Sequence, residues 1–334
     1  MKAHSTDQPT FFRQLDEFIQ SIPPRIDSST IDHKNNSTQA NSSRGHELLH
    51  NYLLHYSLDL TAHCESHEIW QSDINGKRIV EQRWHSRQPN GQHLILCHGY
   101  FDHTALYGKV IDWALSKGYC LHSFDLPGHG LSGGKRAAID SFDEYSQVLN
   151  TIINREAYPH YHCIGQSTGC AVILNTILNR ELTPCLEHLP EQTVLLAPLV
   201  RSIHWQVLRW GYFFIHTFLP AIKRTFAESS HDKNFNHFLH TQDPLQASKL
   251  PLNWLGAMDE WIEKIGKAEV NTQLSCTIIQ GTGDNTVDYK YNLPVIQSRL
   301  PHTHIHYIDN AFHHLANESQ EYWQQVKALL NESL

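Results

Sequence analysis

The chain has too little positive charge for a nucleic-acid binder. Its 334 residues hold 26 Lys and Arg against 34 Asp and Glu, a net charge of −8, so nothing draws a phosphate backbone or an anionic membrane surface. Cysteine is scarce too: seven residues, an odd number, with no C-x-x-C pair and several in apolar stretches, such as Cys97, Cys163 and Cys276. That spacing offers no disulfide framework and no zinc finger, and it predicts a reducing, cytoplasmic setting. Long apolar runs are missing. The longest, Leu208 to Leu219, falls well short of the roughly 20 residues that cross a bilayer. Met1 to Thr10 has no apolar centre for a secretory signal. A soluble protein is expected, and no internal repeat is evident.

What is present suffices for one large α/β unit. Residues 1–45 are mostly polar, with Ser28-Ser29-Thr30 and Asn35-Asn36-Ser37-Thr38 as low-complexity patches. They read as a flexible lead-in carrying one amphipathic helix over residues 11–22. From Glu68 the pattern changes. Segments 68–74 and 77–84 flank Asn75-Gly76, a dipeptide that favours a two-residue hairpin turn. Strands expected at 93–97, 119–124, 161–164 and 193–196 alternate with helices at 107–117, 141–154 and 170–182. After Pro198 the rhythm gives way to a helical, aromatic-rich stretch that includes Trp205, Trp210, Phe213, Phe214, Phe218, Trp254 and Trp261. It returns with a strand at 276–280, a helix at 293–300 and a strand at 303–308. A last helix is expected from about Glu318 to Asn331, with Asn317 and Gln320 as a capping box. The fold class is therefore α/β: a doubly wound, mostly parallel sheet with an N-terminal antiparallel hairpin and a helical lid insertion. Residues 46–198 and 271–334 form the core, and 199–270 the lid.

The chemistry centres on Gly165-Gln166-Ser167-Thr168-Gly169, a G-x-S-x-G pentapeptide between an expected strand and an expected helix. That geometry pushes a serine hydroxyl out of a strained turn into a cleft. Serine is a poor nucleophile alone and needs a base, and the base needs an orienting acid. Two segments after late strands offer both: Gly281 to Asp288, with Asp284 and Asp288, and Asp309 to Leu315, with Asp309, His313 and His314. Strand ends on the carboxyl edge of a parallel sheet converge on one crevice. Asp288 lies a further turn from its strand end, and Asp309 sits where a strand terminates. Cys97-His98-Gly99-Tyr100 ends the first core strand in a glycine turn, so a backbone N–H there and that of Thr168 could face the crevice as oxyanion donors. His98, Asp102, His103, Asp125 and His129 match no familiar metal-ligand spacing. No metal or cofactor is expected.

These stations together resemble the α/β-hydrolase superfamily, in its lysophospholipase and monoacylglycerol-lipase-like branch, also grouped with serine aminopeptidases. The matching residues are His98-Gly99-Tyr100-Phe101-Asp102-His103, then Phe124-Asp125-Leu126-Pro127-Gly128-His129-Gly130-Leu131-Ser132, the serine elbow, Gly281 to Val287, and Ala311-Phe312-His313-His314-Leu315. They recur in the family's order from about residue 68 onward. By position the resemblance implies Ser167 as nucleophile, Asp284 as acid and His313 as base, with the amides of Tyr100 and Thr168 as the oxyanion hole. Two departures stand out: Gln166, where the family commonly has histidine, and Cys170, where a second glycine is usual. The implied substrate is a small acyl ester or lipid with one acyl chain, with transient membrane-surface contact through the lid. Two rivals stay open. A peptidase with the same residues would need an acidic cluster at the cleft, for which Glu228, Asp232, Asp259, Glu260 and Glu263 are the candidates. A non-catalytic ligand receptor on the same fold is the other.

Overall fold

In the computed structural model, residues 8–25, 42–58, 60–179, 181–182 and 186–334 are described; the low-complexity patches at 28–38 lie outside them. The chain starts with helices α1 (Gln8–Ser21) and α2 (Ser42–His55). Phe18 packs on Tyr52 with ring centroids 5.0 Å apart, and Phe18, Ile22, Leu48 and Tyr52 are buried. The amphipathic helix expected over residues 11–22 is α1, and α2 is a second helix that the sequence did not announce. One apolar stripe is enough to dock a helix whose average composition is polar.

Strands β1 (Cys64–Ile74) and β2 (Lys77–Ser86) pair antiparallel. Asn75 and Gly76 join them with φ of 55° and 72°, the two consecutive left-handed residues that a tight hairpin of this twist requires. The α/β alternation follows: β3 (His93–Cys97), α3 (Gly108–Ser116), β4 (Cys120–Phe124), α4 (Phe142–Glu156), β5 (Tyr161–Gln166), α5 (Thr168–Leu178) and β6 (Thr193–Leu196). Ser141 caps α4, with Glu144 completing a capping box.

Between β6 and the next core strand the chain is not wholly helical. It holds α6 (Trp205–Ile215), β7 (Ala221–Lys223), α7 (Lys233–Thr241), β8 (Lys249–Pro251) and α8 (Leu252–Lys267), with β7 and β8 pairing as a small separate ribbon. The core resumes with β9 (Ser275–Gly281), α9 (Tyr289–Arg299), β10 (His302–Ile308) and α10 (Gln320–Ser333). The capping box expected from Asn317 and Gln320 does not form. The helix begins at Gln320 after Ser319, and the Asn317 amide instead donates to the Leu106 carbonyl at 2.7 Å.

The main sheet has the order β1-β2-β4-β3-β5-β6-β9-β10. β4, β3, β5, β6, β9 and β10 run parallel, and β2 is antiparallel to both neighbours. Each buried strand feeds two cores, because successive side chains point to opposite faces. In β3, Leu94 and Leu96 join the layer of Trp84, Trp113 and Val326, while Ile95 and Cys97 join that of Phe142, Leu149 and Val172. From β3 the chain steps outward to β4 and later returns to β5 on the other side. The order therefore reverses at the carboxyl ends of β3 and β5, where ligand crevices of such sheets form.

Candidate active site

Ser167 stands at that reversal. It follows β5 and precedes α5 with φ 54° and ψ −112°, a region that costs a non-glycine residue energy and persists only where the surroundings enforce it. They do so here. The Ser167 amide donates to the Leu196 carbonyl at 2.9 Å and its carbonyl accepts from the Leu199 amide at 3.2 Å. The flanking glycines allow backbone to approach backbone. A Cβ on Gly169 would lie 2.1 Å from the Cys97 carbonyl oxygen, and one on Gly165 would lie 2.8 Å from the Cys170 nitrogen. Cys170, the departure behind the elbow, fits its thiol against the Gly165 and Leu196 carbonyls at 3.1 and 3.4 Å.

Ser167 and His313 line one cavity of about 270 Å³, together with Gly99, Tyr100, Phe101 and Thr168. The His313 Nδ1 donates to Asp284 Oδ2 at 2.8 Å. Asp284 is fully engaged: Oδ2 also accepts from Gln280 Nε2 at 3.1 Å, and Oδ1 accepts from the amides of Thr286 and Val287 at 2.8 and 3.1 Å. Burial disfavours the Asp284 carboxylate, but the imidazole beside it and those two amides outweigh burial and hold its pKa below the ordinary value. Burial likewise opposes a charged His313, and Asp284, helped by Asp102, reverses the sign and raises its pKa.

The rival acids lie elsewhere. Asp288 pairs with Arg201 at 2.6 Å, and Asp309 is exposed and accepts from the Thr282 hydroxyl at 2.9 Å. His314, the alternative base, turns its Nε2 to within 3.1 Å of Asp102. The amides of Tyr100 and Thr168 have no acceptor among the described residues.

The loop carrying Tyr100 is built by the residues that tempt a metal reading. Asp125 accepts from the amides of Thr104 and Leu131 at 2.8 and 2.7 Å. His98 donates from Nδ1 to the Gly99 carbonyl at 2.8 Å and accepts at Nε2 from the Leu126 amide at 2.9 Å. That pattern requires a neutral ring, in keeping with burial lowering its pKa. Tyr107 accepts from the Gly99 amide and donates to Asp102 Oδ2 at 2.8 Å. Among residues that do not line the cavity, Glu81, His122 and Glu156 converge, but guanidinium groups fill that cluster: Arg155 donates to Glu81 at 2.5 Å and Arg83 to Glu156 at 2.6 Å.

The roles of three residues were invisible in the sequence. Gln166, an apparent departure, donates through Nε2 to the His313 carbonyl at 2.9 Å and so ties the elbow to the histidine loop. Glu318, expected to open the last helix, is fully buried and accepts from the amides of Phe312 and Ser319 at 2.7 and 2.8 Å, bracing that loop. Arg224 lines the cavity from the segment after β7. No local pattern marks any of the three, because each acts through partners distant in sequence.

The parallel sheet, the strained serine turn after β5 and the histidine and aspartate after β10 and β9 define a protein of the α/β-hydrolase class. The sequence profile of the serine aminopeptidase S33 family matches residues 88–320, and the chain belongs to that family. It is similar to a monoacylglycerol lipase of Mycolicibacterium smegmatis, 32% identical over 88 residues that make up 26% of this chain and 31% of that one. The match thus spans about a third of that relative's length. Among solved structures, a monoacylglycerol lipase of Paleococcus ferrophilus superposes with a TM-score of 0.60 at 17% identity, covering 76% of this chain and 97% of the other. A soluble variant of the Saccharomyces cerevisiae monoglyceride lipase, in complex with a substrate analog, gives 0.66 at 15% identity, covering 79% and 94%. These likenesses are of fold. No helix among the described residues is long and apolar enough to cross a membrane.

Proposed function

We propose that this protein is a serine hydrolase that cleaves a carboxylic ester of a monoacyl lipid through an acyl-enzyme. The observation that carries the reading is the Ser167 turn opening on the same cavity as a His313 whose other ring nitrogen is held by Asp284. With Nδ1 donating to Asp284, the Nε2 lone pair is the one that accepts the serine proton. The Ser167 Oγ then bonds to the ester carbonyl carbon, and the negative oxygen is stabilised by the amides of Tyr100 and Thr168. As the carbon–alkoxy bond breaks, His313 returns the proton to the leaving alcohol. A water deprotonated by His313 then releases the acid and restores Ser167.

Cavity size and lining support a single acyl chain. At about 270 Å³ the cavity is near the lower end for ligand pockets, and Leu199, Leu208, Leu250, Leu255 and Met258 supply apolar walls. On our reading residues 199–270 act as the lid. Its helix α6 and the turn after it expose Trp210 (65%), Phe213 (67%) and Phe218 (82%), an apolar face suited to transient contact with a lipid surface. The peptidase alternative is less well served. Glu228, Asp232, Asp259, Glu260 and Glu263 are not among the residues lining the cavity; Asp259 pairs with Arg209 and Glu263 with Lys267.

The test is labelling of the folded protein with a fluorophosphonate probe, alongside turnover of 4-nitrophenyl acyl esters of graded chain length and one aminoacyl anilide. Adduct on Ser167 and ester turnover are the expected results. Preference for the anilide would favour the peptidase, and an unlabelled Ser167 the receptor.

A pH profile tests the base. His313 must be neutral to act, and its pKa is raised above 6.5 by Asp284. So kcat/KM should rise with pH through a midpoint above that value. A midpoint at or below 6.5 would contradict the assignment.

A further inference from the structure

Arg224 is the one Lys or Arg among the residues that line the cavity, and the mechanism above does not use it. Its guanidinium is fixed from two sides. The carbon at its centre lies 3.8 Å from the Phe101 ring centroid and 4.2 Å from that of Phe226. Nη1 donates to Gln246 Oε1 at 2.7 Å and to the Ala247 carbonyl at 3.3 Å. Among the described residues no carboxylate lies within ion-pair distance of it, and Nε and Nη2 have no protein acceptor while remaining accessible. The two acids whose charge reaches it hold other partners: Asp102 accepts from Tyr107 at 2.8 Å, and Asp243 is engaged by Tyr56 at 2.8 Å and His103 at 3.0 Å. Burial pushes the Arg224 pKa down to about 10 against the pull of Asp102, Tyr100 and Asp243, as for a cation short of a counter-charge.

A desolvated, oriented guanidinium with two free donors is an unfinished ion pair. Its planar fork matches a phosphate or carboxylate, and low-dielectric walls strengthen the attraction. We infer that Arg224 is an anion subsite and that the substrate is a monoacyl ester bearing a phosphate or carboxylate, rather than a neutral monoacylglycerol. This rests on the esterase reading above. The competing role is mechanical: Arg224 could merely brace Phe101, which holds φ 66° next to Tyr100. A brace would affect all substrates alike, whereas an anion subsite discriminates between them.

The experiment compares three probes at monomeric concentration: 1-lauroylglycerol 3-phosphate, the monomethyl ester of dodecanedioic acid, and neutral 1-lauroylglycerol. Binding is measured by calorimetry in the Ser167→Ala background, with and without Arg224→Gln or Arg224→Lys, and kcat/KM in the Ser167 protein with the same substitutions. The anionic-to-neutral affinity ratio should fall about 30-fold in R224Q, the low end for removing one partner of a buried charge pair, and R224K should recover part of it. A drop confined to the phosphate probe assigns the anion to the alcohol side of the ester. A drop confined to the dicarboxylate assigns it to the acyl side. An unchanged ratio for both anionic probes overturns the subsite and leaves Arg224 a brace. If the binding ratio falls but the Ser167 protein hydrolyses none of the three, the subsite stands and the esterase reading fails.

Discussion

Replacing Ser167 by alanine is expected to lower ester turnover about 10⁶-fold in kcat, the scale seen when the nucleophile of a serine–histidine–aspartate enzyme is removed. The loss is chemical rather than structural. Alanine keeps the Cβ that already occupies this position at φ 54° and removes only the hydroxyl. The Leu196 and Leu199 hydrogen bonds that hold the turn are to backbone and persist. Thermal unfolding of the variant should therefore stay within a few degrees of the parent. Turnover within tenfold of the parent would mean that another group attacks the ester and that the elbow serves some other purpose.

Asp284→Asn should cost on the order of 10⁴-fold in kcat, and the hydrogen-bond pattern says why. Oδ2 accepts from both His313 Nδ1 and Gln280 Nε2, while Oδ1 accepts from the amides of Thr286 and Val287. All four partners donate. An asparagine must present an NH2 group toward one pair. Facing the two fixed amides is the worse choice, so the NH2 turns toward His313. The imidazole then carries its proton on Nε2 and can no longer take one from Ser167. The same change removes the charge that raises the His313 pKa, so the acid limb of any residual activity should move to lower pH. Asp309→Asn is the matched control, being exposed and bound to Thr282, and should keep activity within about twofold, as for a surface change. A larger loss in D309N than in D284N would reverse the assignment of the acid.

Legibility from the sequence followed the range of the forces involved. Elements set by local pattern were read almost to the residue. The strands at His93–Cys97 and Thr193–Leu196 match in full, because a short apolar run between polar turns has few other solutions in an α/β chain. The Asn75-Gly76 turn and the start of α4 at Ser141 are likewise local, one a matter of positive φ and the other of a cap. The end of the chain shows the limit. Asn317 has the right type and spacing for a cap, yet the Leu106 carbonyl, 211 residues away in sequence, takes its amide. The N-terminal helix, by contrast, was legible for a local reason: the amphipathic stretch expected over residues 11–22 forms α1, with Phe18 and Ile22 in the core.

The sequence by itself determined the candidate chemistry: a serine between close-packing glycines and an ordered series of histidine and aspartate stations, each fixed by the conformation its own short segment must adopt. Only the tertiary structure decided which of them meet. Asp284, not Asp288 or Asp309, reaches His313, because β9 and β10 run side by side and bring their loops together. It also turned Gln166 from a departure into the link between elbow and histidine loop. Arg224 entered the cavity by the same kind of long-range contact, carried there by the β7–β8 ribbon, which no periodicity in the sequence announces. Local sterics can be read along the chain, whereas the pairing of side chains from separate elements is settled only by packing.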